Sequence, residues 1–140
     1  MTENTNPKAT LVTGVIGEDV HIIGIRIVEH ALRNAGYNIV ALGAQTTQEE
    51  FINAARETKA HAILVSSLSG HANVLVAGLR EKCNEVGLSN ILLYLGGQLI
   101  IGEREWADVE KMYKEMGFDR IYKPSVEIPQ IIKDLEVDLK

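Results

Sequence analysis

Five short, apolar, β-rich runs recur along the chain at the length of one strand plus one crossover helix. They are Ala9–Val15, Asn38–Leu42, Ala62–Ser66, Ile91–Leu95 and, as a weaker run, Asp119–Tyr122, so their starts lie about 24–29 residues apart. Several are continuously apolar instead of alternating, for example Ala62-Ile63-Leu64-Val65 and Ile91-Leu92-Leu93-Tyr94-Leu95. Strands covered on both faces by helices read this way, and strands joined by such crossovers run parallel. A chain with this rhythm is therefore an α/β sandwich and not a helical bundle or an antiparallel barrel.

Helical patterns fill the gaps. Ile25, Val28, Leu32 and Ala35 fall on one helical face, and Gly36 stops it. Thr47-Gln48-Glu49-Glu50 is a capping box ahead of a helix carrying Phe51, Ala54 and Ala55. Val76, Leu79, Cys83 and Val86 predict one helix ended by Gly87; Trp106, Val109, Tyr113 and Met116 predict another ended by Gly117. Trp106 and Tyr113 read as core. Pro129 suits the first turn of a last helix holding Ile132 and Leu135. Residues 1–8 are expected to be a disordered tail and residues 9–140 one domain of typical size. The expected fold is a doubly wound five-stranded parallel sheet, flavodoxin-like (Rossmann-like), of order 2-1-3-4-5, with helices on both faces. Its crevice is expected at the carboxyl ends of strands 1 and 3.

Composition narrows the function classes. A net charge of −5 and a pI near 5.4 argue against a nucleic-acid partner, which requires basic surface. No apolar run approaches the roughly 18 residues of a membrane span, and the polar N-terminus lacks a signal core. A single cysteine, Cys83, forms no internal disulfide, so a cytoplasmic setting is expected.

Chemistry is expected in three loops that follow strands. The first, residues 14–24, lacks both the G-x-G-x-x-G dinucleotide fingerprint and the P-loop ending. It holds Asp19-x-His21, followed by Gly24. An Asp two residues from a His can accept from one ring nitrogen and leave the other free as base or metal ligand. A polar surface loop is the plainer alternative. In the second, Ser66-Ser67-Leu68-Ser69-Gly70-His71, the hydroxyls suit either a ligand or a helix cap. In the third, Gly96-Gly97 permits close backbone approach. The apolar Leu99-Ile100-Ile101 that follows covers a ligand, meets a partner, or is an ordinary buried crossover. His30 and His61 lie away from the crevice, and the scattered Asp and Glu residues read as solvated charge.

Taken together, Asp19-x-His21-x-x-Gly24, Ser66-x-Leu68 and Gly96-Gly97, each after its expected strand, resemble the signature of the base-off/His-on B12-binding domain family. The resemblance covers nearly the whole chain after the tail and is nearest the small subunits of glutamate (methylaspartate) mutases. It implies adenosylcobalamin as cofactor, with His21 as ligand of the cobalt and Asp19 bonded to the other ring nitrogen. It implies that Ser66, Leu68, Gly96 and Gly97 line a pocket for the freed nucleotide tail. The flanking Glu18, Val20, Ile22, Gly24 and Ser67 belong to the same implied set, as does the stretch Gln98, Leu99, Ile100, Ile101 and Gly102. The implied activity is a radical carbon-skeleton isomerisation of L-glutamate to L-threo-3-methylaspartate. It needs a larger barrel-type catalytic subunit, in a heterotetramer of two large and two small subunits, and this chain is inactive alone. Three departures from the family pattern, Glu18, Gln98 and residues 69–73, leave the cobalt ligand in place and bear on the substrate.

Two other readings compete. A corrinoid carrier of a methyltransferase system resembles this domain but usually carries a helical cap region before it, for which no space is expected ahead of Ala9. A signalling receiver shares the architecture, and Lys123-Pro124 mimics its Lys-Pro, but strand 3 ends in Ser66-Ser67 without the phosphate-accepting Asp. The loop Gly17–Gly24 has little apolar anchoring and is expected to gain order when cobalamin binds.

Overall fold

Strand β3 (Ala62–Ser67) lies at the centre of a five-stranded sheet with β1 (Thr10–Val15), β2 (Asn38–Ala41), β4 (Leu92–Gly97) and β5 (Arg120–Tyr122). The order is β2-β1-β3-β4-β5 and every pairing is parallel, as the sequence rhythm predicts. The computed structural model describes residues 8–17, 22–68, 70–100 and 103–140. Lys8, the last residue of the expected tail, is already anchored: its N–H donates to the Gly36 carbonyl at 3.0 Å and its ammonium sits 5.5 Å from the Tyr37 ring centre.

Helices α1 (Ile23–Asn34) and α6 (Ile128–Asp138) cover one face of the sheet; α2 (Gln48–Thr58), α3 (Ala72–Leu75), α4 (Leu79–Glu85) and α5 (Trp106–Glu115) cover the other. Consecutive strand residues therefore enter different cores. Leu11, Leu64 and Tyr94 pack with Leu32, Ile131 and Leu135 on the α1/α6 side. Val12, Val65 and Leu95 pack with Phe51, Leu79 and Tyr113 on the other. Burial on both faces explains why these strands read as unbroken apolar runs.

The capping box of α2 forms as expected: Glu50 N–H donates to Thr47 Oγ1 at 3.1 Å, and Thr47 N–H donates to Glu50 Oε1 at 2.8 Å. The third crossover differs from the single helix expected. It breaks between α3 and α4, where Gly78 adopts a φ of +81° that helical residues cannot take. Val76 stays buried but lies in the turn. The Gln48 amide donates to the Leu75 and Ala77 carbonyls at 2.6 and 3.0 Å, satisfying acceptors at the end of α3 and in the break that follows it.

Strand ends also differ. Gly96 and Gly97 belong to β4, paired with Ser66 and Ser67, instead of opening a loop. The cause is close approach: a Cβ at residue 97 would stand 2.1 Å from the Ser67 carbonyl oxygen, and Gly97 has a φ of +121°. The reading of all acidic side chains as solvated fails at Glu29. This α1 residue is fully buried and accepts a 2.6 Å hydrogen bond from Thr13 Oγ1. No helix among the described residues is long and apolar enough to cross a membrane.

Candidate functional site

At the carboxyl ends of β3, β4 and β5 the two helices of one face stand apart and leave a cleft. Its volume is about 190 Å³, and it is half open to solvent. One wall is the start of α1, with Gly24, Ile25 and Val28; the opposite wall is Val126 and Ile131, the latter from α6. The floor is Leu64, Ser66, Tyr94 and Gly96, and Tyr122, Lys123 and Pro124 close the β5 end. The cleft is therefore one strand further along the sheet than the expected β1/β3 crevice, because it follows the parting between α1 and α6.

Five of the residues singled out in the sequence meet in this cleft: Gly24, Ser66, Leu68, Gly96 and Gly97. They come from three separate loops or strand ends, and three are glycines. A Cβ built on Gly24 would meet no atom within 4 Å, so this position opens directly into free space. Ser66 faces the cleft because strand alternation turns it towards the α1/α6 side. The capping alternative for Ser66 and Ser67 is not realised, since α3 starts at Ala72 with His71 before it and no side-chain cap.

Other expected residues lie elsewhere. Ser67 points to the opposite face, fully buried, and its hydroxyl has no hydrogen-bond partner. Leu99 is buried in the α2–α5 core, where its carbonyl faces the Tyr113 hydroxyl at 3.4 Å. Of the alternatives for the apolar stretch, the buried crossover describes Leu99. Gln98 and Ile100 are exposed, the Gln98 N–H donating to the Ser67 carbonyl at 2.9 Å. Ile22 precedes α1, its carbonyl accepting from Arg26 N–H. Glu18, Asp19, Val20, His21, Ile101 and Gly102 lie outside the described residues. Among the described residues no three His, Cys, Asp or Glu side chains gather as a metal site.

Sequence reasoning missed the β5 end of the cleft. Tyr94 sits inside an apolar run and Tyr122 in a short, mostly polar one, and the sequence singles out neither, yet their rings line the cleft in edge-to-face contact, 5.8 Å between centres. Their hydroxyls turn to α6: Tyr94 donates to Asp138 Oδ2, and Tyr122 to Asp134 Oδ2 at 2.6 Å. Burial first, then these hydrogen bonds, push both tyrosines well above the ordinary phenol range. Arg120 makes a two-pronged contact with Asp138 at 2.9 and 2.8 Å, and this holds the Asp138 carboxyl below its ordinary value. Asp134 and Asp138 are thus further exceptions to the solvated-charge reading. The position of Tyr122-Lys123-Pro124 at the carboxyl end of a strand was the available signal.

Comparison with known proteins adds a direct line. The B12 binding domain family model matches residues 9–120. The glutamate mutase sigma subunit of Clostridium tetani is 52% identical over 132 residues, covering 94% of this chain and 96% of that one. The sigma subunit of Clostridium cochlearium gives the same identity and coverage. Among solved structures, a cobalamin-binding protein from Desulfitobacterium hafniense superposes with a TM-score of 0.76 at 17% identity, over 93% of this chain and 58% of that one. That last likeness is one of fold.

Proposed function

This chain belongs to the B12-binding domain family and, within it, to the glutamate mutase sigma subunits, and from that premise we propose how its residues hold the cofactor. It is the cobalamin-binding subunit of glutamate mutase, an isomerase that uses adenosylcobalamin, and it works with a larger catalytic subunit. Near-full-length identity to sigma subunits favours this over a methyl-transfer carrier or a receiver. We place the nucleotide tail in the cleft between α1 and α6.

One observation carries that placement: three separated sequence motifs deliver Gly24, Ser66, Leu68, Gly96 and Gly97 to one cleft. The donor set fits the group. The floor has small residues where a flat heterocycle would lie, the walls are apolar, and the position of Gly24 leaves open space. Ser66 offers a hydroxyl to the tail, and Leu68 adds apolar contact beside it. His21 is the proposed ligand of cobalt and Asp19 its orienting partner, which fixes the tautomer and raises the donor strength of the imidazole. Glu18, Val20, Ile22, Ile101 and Gly102 are proposed to flank the corrin, with Gln98 and Ile100 on the exposed rim. The cofactor supplies a carbon radical by homolysis of its cobalt–carbon bond; the chain supplies binding, orientation and tuning.

The substrate pocket is proposed to lie on the larger subunit, of barrel type, in an assembly of two large and two small subunits. A cytoplasmic setting belongs to the same proposal, supported by a lone Cys83 that is buried and whose thiol burial pushes up. The test is direct. Purified protein should bind cobalamin with a base-off spectrum, and His21→Ala should lose histidine ligation. Adding the larger subunit should then yield glutamate isomerisation. A spectrum unaffected by His21→Ala would overturn the ligand assignment.

A further inference from the structure

We infer that α6 is a clamped wall that sets the width of the cleft, and that Asp134 and Asp138 are positioning residues for the nucleotide tail. The inference rests on the reading of this cleft as the tail pocket. Asp134 and Asp138 stand one helical turn apart, on the side of α6 that faces the sheet. Both are largely buried, at 12% and 16% side-chain exposure. Between them they accept from Tyr94, Tyr122, Arg120 and Gln130. Arg120 Nη1 also lies 3.6 Å from Asp134, so one guanidinium spans both carboxylates.

Two consequences follow for the occupant. The tyrosine hydroxyls are spent on α6, so the tail meets the tyrosine rings and not their polar tips. More important, the wall opposite Gly24 is borne by α6 through Ile131. Apolar anchoring of α6 is modest: Ile131 and Leu135 are buried, and Ile132 and Leu139 only partly. Beside that packing, the carboxylates supply the polar ties between the helix and β4 and β5. When α6 swings out the cleft has one wall, and apparent affinity falls in proportion to the docked fraction. Only the tail senses this, because the corrin and its cobalt are held from the loops after β1 and β4.

The experiment compares cobalamin with cobinamide, which keeps the corrin and lacks the nucleotide tail. Dissociation constants are measured for the full chain and for Asp134→Asn/Asp138→Asn and Tyr94→Phe, with circular dichroism confirming the fold. Wild-type protein should prefer cobalamin. The double variant should weaken cobalamin about tenfold, the factor matching one charge-assisted hydrogen bond, and leave cobinamide unchanged. Tyr94→Phe should move the same ratio in the same direction, and it carries the test should the double variant not fold. A ratio unchanged in the variants, or equal weakening of both ligands, would overturn the clamp. Equal wild-type affinity for the two ligands would instead overturn the tail reading on which it rests.

Discussion

Replacing Gly24 by Ala should strengthen the empty protein while weakening its grip on cobalamin. Gly24 is the second residue of α1, and a Cβ added there meets no protein atom within 4 Å. With nothing to clash, the substitution acts through the backbone. Alanine is favoured over glycine in a helix by roughly 0.5–1 kcal/mol. For a domain of this size that raises the melting temperature by about 1–4 °C. The bound state responds in the other direction. If the cofactor fills the space before Gly24, the new methyl overpacks the contact, which costs about 1–3 kcal/mol. Affinity then falls about 5- to 150-fold. Thermal unfolding without ligand and a spectroscopic titration with cobalamin measure the two halves separately. Unchanged affinity would refute the placement of the cofactor against α1, and a lower melting temperature would refute the claim that this position is open.

Three further perturbations follow from the same geometry. Gly97→Ala should destabilise the protein by about 3 kcal/mol or more, with or without cobalamin, because its Cβ would stand 2.1 Å from the Ser67 oxygen at a φ of +121°; urea unfolding checks this. Thr13→Val removes the hydroxyl that donates to the buried Glu29 carboxyl, leaving it only the Arg26 guanidinium at 3.9 Å among the described residues, and should cost about 2 kcal/mol, whereas Thr13→Val/Glu29→Leu should recover most of it, since both partners are then apolar. A double variant no more stable than the single one would contradict that pairing. Finally, Arg120 holds the Asp138 carboxyl below its ordinary value, so the bond stabilises the fold above the unfolded pKa of about 3.9 and is lost as pH falls through the lower folded value. The stability gap between wild type and Asp138→Asn should be constant near neutrality and shrink below about pH 4, as read from denaturant midpoints across that range.

The parallel sheet and its order were legible because spacing and unbroken apolar runs both report the same thing, strands covered on two faces. The Thr47 capping box was legible because it is a local device whose partners are three residues apart. What escaped depended on contacts between distant segments. Gly78 reads as one glycine among twelve until its positive φ splits the third crossover. Gly96 and Gly97 read as a loop because the sequence does not reveal that residue 97 backs onto Ser67. Leu99 reads as a cleft residue from its neighbours, yet it turns into the opposite core. Asp134 and Asp138 look like ordinary helix-surface charge because their partners, on β4 and β5, lie 12 or more residues away. Of the site, the small residues of the cleft were legible as strand-end motifs, and the tyrosine wall was not, since an aromatic ring in a strand carries no mark of the cavity beside it.

The central claim is that His21 binds the cobalt of cobalamin, and electron paramagnetic resonance of the cob(II)alamin complex tests it most directly. The unpaired electron couples to the nitrogen of whichever base occupies the lower axial position. Protein labelled with ¹⁵N-histidine should convert the nitrogen splitting of each cobalt line from a triplet to a doublet, and His21→Ala should abolish that conversion. A triplet that persists in the labelled wild-type protein would mean the cofactor keeps its own base, or binds another ligand, and would contradict the assignment.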